Sequence, residues 1–412
     1  MRSPSVPAVL IFACYLTIGL QLAVVPRFVH LQLGFNAVVA GLAISAQYVA
    51  TLARRPFAGR MGDTIGAKRT ARFGLFACGL SGLIFVVAVV IQNKPPASLS
   101  LLLMSRLVLG FGESWVATGS TLWGIVRLGR GSEAKVISWS GIGSFGGIAA
   151  GASLGVWLEN HSGIGAIGIT SAAVAVTAFL WAAGIPAVAV GAGRILAFRK
   201  VLGRVLADGL GLALGGIGFG TIAAFVSLYY ANRNWTNAGL SLTLFGGSFV
   251  AARLLLSWTV NKWGGYPVAI ASLAVECAGL IVLYLASTPE IAHAGAALAG
   301  FGFSLVFPAL GVEAVGKVPL ESRGSALGMY TAFVDLSLGV SGPVAGVVVK
   351  EAGYPSIFLF AAAMAGLSVA LLVVLHFRAA RDSARVRVET TETHVSAHLH
   401  LGGCTKSGGN HA

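Results

Sequence analysis

An all-α membrane protein with twelve membrane-spanning helices is the fold this sequence predicts, and three observations predict it. Hydrophobic residues fill 56% of the 412 positions and charged residues only 10%, with a mean hydropathy of +0.84; soluble domains are about one quarter charged. The apolar residues fall in runs of about 20, the length needed to cross roughly 30 Å of hydrocarbon. Lysine and arginine gather in every second connection between those runs, which is how basic residues distribute when held on the cytoplasmic side of a membrane.

Apolar runs bounded by charged or Gly/Pro breaks are centred near residues 18, 48, 82, 112, 146, 176, 217, 250, 276, 302, 335 and 365. The first, Pro7 to Val25, follows Arg2 like the core of a signal peptide, but it is too long for one and more spans follow. No run shows the period-two alternation of a transmembrane β-barrel strand. With a cytoplasmic N-terminus, 23 of the 28 Lys and Arg lie in cytoplasmic loops and tails, Arg55 after the second run and Arg253 after the eighth among them. Only Arg27, Lys94, Arg233 and Lys350 lie opposite, and Arg106 falls inside a run. This asymmetry predicts that both termini are cytoplasmic in a bacterial inner membrane, and it assigns the net charge of +14 to topology and lipid headgroups rather than to nucleic acid. Cys14, Cys78 and Cys277 lie within runs and Cys404 in the tail, so no disulfide framework is expected.

Sliding the second half back by 198 residues sets Arg253 over Arg55, Asn261 over Asp63 and Gly264 over Gly66; a shift of 190 sets "GFGF" at 300 over "GFGE" at 110. The matches are few, but they fall where a six-plus-six duplication requires. The expected division is a first bundle over 1–190, a cytoplasmic linker over 191–204, a second bundle over 205–377 and a disordered cytoplasmic tail over 378–412. The tail holds His394, His398, His400 and Cys404, yet nothing near them would preorganise a metal site. No cofactor or metal is expected, and the phosphate-binding, zinc-protease and serine-hydrolase motifs of enzymes are absent.

Between the second and third runs stands "GRMGDTIGAKR", residues 59 to 69. Its Gly59, Gly62, Asp63, Gly66, Lys68 and Arg69 resemble the signature that the major facilitator superfamily carries at this place, with Thr64 and Ala67 where that signature has bases. Helix count, topology and duplication extend the resemblance over the whole chain, and the run "GLQLAVVPRFVHLQLGF" near the end of the first helix, with Pro26 and His30, resembles a branch of bacterial inner-membrane permeases of the drug or sugar efflux type. The resemblance implies a secondary transporter that moves a small solute by alternating access, coupled to protons and acting as a monomer. It also implies that Asp63 latches the cytoplasmic side against the eleventh helix, where Gly324 and Gly328 would form a close-packing face. A solvated turn whose bases only set topology is the competing reading.

Charges inside spans are costly, about 2.5–3.5 kcal/mol at a helix centre, and so point to function. Arg106, Gly110 and Glu113 share one face of the fourth helix, with the two charges about 10 Å apart along the axis. Arg106 and Gly110 match a family signature associated with proton transfer in exporters. The expectation is an ion-paired or proton-exchanging couple, or else an arginine that only ties helices together. Asp335, in "YTAFVDLSLG", reads as the most isolated carboxylate, a proton carrier or a buried hydrogen-bonded acid. Glu276 lies on the ninth helix, at the lipid-facing periphery in this family, and ranks lower. Glu313 reads as snorkelling or latching near the end of the tenth helix.

On the fifth helix Gly143, Gly147 and Gly151 are four apart and predict close helix packing. Ile148 stands where the family's exporters place a proline. Pro343 is expected to kink the eleventh helix. Tyr15, Gln21, Tyr229, Tyr230, Phe303 and Phe307 are the candidates for lining a substrate cavity; Tyr229 and Tyr230 also suit a membrane interface. A non-transporting sensor on the same scaffold, an uptake symporter and a uniporter remain open at this stage.

Overall fold

In the computed structural model the backbone is described for residues 5–129, 133–187, 198–318 and 323–403. Within these segments the side chains of 5, 56, 63, 133–135, 137, 138, 198–200, 323–325, 327, 380 and 382–403 lie outside the description. Among the described residues twelve helices are long and apolar enough to cross a membrane: α1 Val6–Gln32, α2 Ala37–Arg55, α3 Ala67–Val90, α4 Pro95–Leu128, α5 Trp139–Ser162, α6 Gly165–Ala183, α7 Val201–Asn232, α8 Ala238–Leu256, α9 Gly265–Leu285, α10 Pro289–Gly316, α11 Gly328–Ala352 and α12 Ser356–Ala379. Helical backbone runs past the last span to Gly403, where the sequence reading expects disorder from 378; "RAARDSAR" is rich in the Ala and Arg that favour helix. The side chains of the metal candidates His394, His398 and His400, together with Cys404 and most of the linker, 191–197, lie outside the description.

Local chemistry sets the ends and breaks. The Asn36 side chain accepts the Val39 N–H at 3.0 Å to cap α2, and Pro289 occupies the first turn of α10, where its missing N–H costs nothing. Gly66 and Gly264 precede α3 and α9 with φ of 92° and 86°, a conformation that side chains resist. These two glycines are the pair aligned by the 198-residue shift, so the duplication is legible in backbone geometry. Pro308 interrupts α10 at Ser304–Leu305, because its ring removes a donor and crowds the carbonyl four residues back. Pro343 is tolerated inside a continuous α11.

Helices α1 to α6 pack as one bundle and α7 to α12 as a second; the bundles meet mainly through α2 on α11 and α5 on α8. Within the first bundle α5 lies against α1 along its glycines: a Cβ at Gly143, Gly147 or Gly151 would come within 2.6 Å of the carbonyl oxygens of Ala8, Phe12 or Leu16. Among the described residues the close backbone approaches between bundles lie in one half of the molecule. Gly41 and Gly342 meet backbone to backbone, and Gly239 and Gly246 of α8 lie against Ala152 and Ala149 of α5. Gly59 repeats the face of Gly41 five turns later, and Gly328 repeats that of Gly342 two heptads earlier. A Cβ at either would meet nothing within 4 Å, so Gly328 forms no close-packing face here. The bundles therefore diverge toward the end that carries the base-rich loops, leaving a crevice between them.

The α1–α5 contact is testable. Gly147→Val forces a branched side chain between two backbones and is expected to destabilise the protein by about 1–3 kcal/mol, read as a lower thermal unfolding midpoint. Gly247→Ala, where a Cβ meets nothing within 4 Å, should leave the midpoint unchanged or slightly raised.

Candidate functional site between the bundles

Gln47, Thr51 and Arg55 are four residues apart on α2 and share one face. Glu113 of α4 is buried beside them: its Oε2 accepts Gln47 Nε2 at 2.9 Å and Thr51 Oγ1 at 2.9 Å. Gly110 lets α4 come this near, since any Cβ there would overlap the Gln47 carbonyl oxygen. One turn beyond Thr51, the Arg55 guanidinium donates twice to Asp335 of α11, Nε to Oδ2 at 2.5 Å and Nη2 to Oδ1 at 3.0 Å. The side chains are 18% and 3% exposed. This bidentate pair crosses from one bundle to the other at the point where they begin to part, and its forked geometry is the strong form of a carboxylate–guanidinium bond.

Arg106 is fully buried and donates to the Ala43 carbonyl and to Gln21 Oε1, both at 3.3 Å. Among the described residues it makes no ion pair with Glu113, so the expected couple is instead two groups held separately by α1 and α2. Arg106 Nη2, Gln21 Nε2, Gln47 Oε1 and Tyr48 Oη have no partner among the described residues. A buried polar atom left unpaired costs about 1–3 kcal/mol. Four on facing turns of α1, α2 and α4 form a polar region that stability alone does not explain. Tyr15 of α1, half-buried, lies within the fields of Glu113, Arg55 and Asp335.

Several expectations change. Asp335 is not isolated, because Arg55 reaches it from the other bundle; Arg55 and Arg253 belong to helix faces at the bundle interface rather than to loops. Glu276 is fully buried inside the second bundle, beside Gly215 and Gly218 of α7, with neither carboxyl oxygen partnered among the described residues. A lipid-facing position is excluded for it. Tyr229 and Tyr230 do not line the crevice: their hydroxyls donate to the carbonyls of Leu283 and Ala286 and of Pro289, at the far end of the second bundle. Phe303 is buried in an aromatic cluster with Phe145, Phe219 and Phe249, and Phe307 packs on Tyr330 at 5.1 Å. Glu313 accepts the Gly265 N–H at 3.0 Å, capping α9.

The glycine-rich loop is only partly described. Lys68 donates to the carbonyls of Ala183 and Ile185 at 2.8 and 2.5 Å, capping the end of α6. Gly62 lies beside Leu122 of α4, and Arg69 is exposed. The side chain of Asp63 and the surroundings of Gly324 lie outside the described residues. The reading of the sequence passed over Gln47, Thr51 and Asp208. The first two carry a visible signal, polar residues at i, i+4 and i+8 ending on Arg55 within an apolar run. Asp208 gives no such signal; it is fully buried and accepts Tyr266 Oη at 2.8 Å and Lys317 Nζ at 2.6 Å, tying together α7, α9 and the end of α10.

Twelve apolar helices in two bundles around a crevice, with ionisable groups buried at its apex, define a multi-pass membrane protein built as a solute carrier. The chain belongs to the Major Facilitator Superfamily, which it matches over residues 8–236 and 209–401; it is a transporter, not an enzyme. It is 54% identical over 372 residues to an uncharacterized MFS-type transporter of Burkholderia mallei (strain SAVP1), covering 90% of this chain and 91% of the relative. Its fold is similar to that of the nucleoside transporter NupG, with a TM-score of 0.72 at 14% identity. It is likewise similar to the human organic anion transporter MFSD10, with a TM-score of 0.69 at 16% identity. Each comparison covers 90% of this chain and 99% of the other.

If Arg55 and Asp335 act as a unit, their replacements will not be additive. Arg55→Ala and Asp335→Ala should each lower the unfolding midpoint more than the double variant implies, with a coupling of about 0.5–3 kcal/mol measured by thermal denaturation in nanodiscs. Additive effects would show that the pair contributes nothing as a pair.

Proposed function

We propose that this protein is a proton-coupled secondary carrier that exports a small, drug-like or sugar-like solute across the bacterial inner membrane as a monomer, with both termini in the cytoplasm. The observation that carries the reading is the Arg55–Asp335 pair, which bridges the bundles at the apex of the crevice. Proton transfer to Asp335 neutralises the only described partner of the Arg55 charge. That removes a strong tie between α2 and α11 and shifts the balance between the two facing states by the differential energy of the pair in each. Glu113, held by Gln47 and Thr51 one turn deeper, is a second station for the proton. Export is supported by the resemblance of Arg106 and Gly110 to the exporters' signature.

In the arrangement seen here the crevice opens toward the base-rich loops. Moving Arg55 and Arg253 into the interface leaves 21 bases on that side against four opposite, which supports placing it in the cytoplasm. In the alternate state the Gly41–Gly342 contact opens, the base-rich ends close, and Asp63 engages the start of α11 as a latch.

In proteoliposomes, solute flux is expected to follow an imposed proton gradient and to collapse with a protonophore; gradient-independent flux would identify a uniporter. Asp335→Asn should lower gradient-driven flux at least about tenfold, since about 1.4 kcal/mol of lost coupling suffices for that, while solute exchange without a gradient persists. Asp63→Asn should leave topology intact and reduce transport. Normal transport by Asp63→Asn would leave the loop with its topological role alone.

A further inference from the structure

The two interfaces between the bundles are built alike except in one respect. On α2 the last contact before the crevice is Arg55, and α11 answers it with Asp335. On α8 the last contact is Arg253, the residue that the 198-residue shift aligns with Arg55, and among the described residues the facing turn of α5 meets it with Gly141 and Phe145. Gly141 leaves room for the arginine in this position, since a Cβ there would overlap Arg253 Nη1. Arg253 is 4% exposed as a residue, and its guanidinium has no carboxylate within ion-pairing distance among the described residues. Its Nη2 donates to the Ser304 carbonyl at 2.8 Å, an acceptor freed from the helix by Pro308, and its Nε has no partner. A desolvated guanidinium with unused N–H groups is a receptor for a planar oxyanion.

Around it stand aromatic rings. The guanidinium lies 5.0 Å from the centroid of Phe249, which stacks on Phe145 of the other bundle at 3.6 Å; Phe219 and Phe303 flank Phe145 at 5.3 and 6.4 Å. Phe145 and Gly141 are both half-buried and mark the crevice side of this cluster. A sugar would find few hydrogen-bonding groups on these rings, whereas a flat apolar body fits them.

We propose that Arg253 is the substrate-anion receptor of this carrier, and that its solute is an organic acid whose carboxylate takes the free edge of the guanidinium while an aromatic or apolar body packs on the Phe145–Phe249 floor. The proposal deepens the carrier reading and rests on it for the access of solute to the crevice. Ligand charge completes at the α5–α8 interface what Asp335 supplies at the α2–α11 interface, so a bound anion would tie the bundles together from the second side.

The test uses the purified full-length protein in nanodiscs at one pH, without a gradient. Benzoate, 2-naphthoate and indole-3-acetate are titrated against their primary amides, with thermal stabilisation and quenching of tryptophan fluorescence as readouts. At least one acid should bind saturably and its amide at least about tenfold more weakly, the loss of one charge-assisted hydrogen bond being worth that much. Arg253→Gln should abolish the difference between acid and amide, and Arg253→Lys, which keeps the charge but not the fork, should retain part of it and serves if the glutamine variant does not fold. Equal binding of acid and amide, binding of no acid, or acid binding unchanged in the variants overturns the proposal. Because no proton gradient enters, a failure of proton coupling leaves this result standing. Gradient-driven flux of an acid that is indifferent to Arg253 would sink the receptor and leave the carrier intact.

Discussion

A charge placed between helices in a membrane must be compensated by another group within reach, because no solvent is there to do it. Arg55 and Asp335 meet this constraint across the bundle interface, and much of the surrounding structure follows from it. Their bond requires α2 and α11 to approach closely on one side of the pair, which Gly41 and Gly342 permit by meeting without side chains. It also allows the helices to separate on the other side, where Gly59 and Gly328 face open space. The pair thus sits where the helices part, with Asp335 buried and the Arg55 side chain 18% exposed.

The same constraint explains the unequal treatment of the buried charges. Glu113 is held by neutral donors and Arg106 by neutral acceptors, so both are solvated by dipoles that do not cancel their charge. Such groups cost stability but can exchange partners, which a tightly paired ion cannot do cheaply. By contrast Asp208, with Tyr266 and Lys317 both bonded to it, ties helices of the second bundle together at its base-rich end. Its described bonds all stay within one bundle.

Duplication gives the molecule two interfaces with the same backbone plan and different side-chain chemistry. Gly66 and Gly264 adopt nearly the same φ, and Arg55 and Arg253 occupy corresponding places, yet among the described residues only Arg55 has an internal acid. A symmetric pair of ion pairs would bind the bundles equally at both interfaces. The asymmetry leaves one contact closed by an internal ion pair and the other with a buried guanidinium that meets no carboxylate among the described residues.

Much of this protein is written in local sequence. The length of each apolar run sets where a helix can cross, the placement of lysine and arginine sets the expected topology, and Gly143, Gly147 and Gly151 mark a helix face that can come close to another; each depends only on neighbours within a few turns. The partners of the buried charges depend on residues hundreds of positions apart. Asp335 looked solitary because Arg55, 280 residues earlier, reads as one more loop base; Glu276 looked peripheral because its helix, taken alone, does not show which face turns inward. Tertiary packing decided both, since the cost of burying a charge depends on what lies within a few ångströms, and linear spacing does not record that distance.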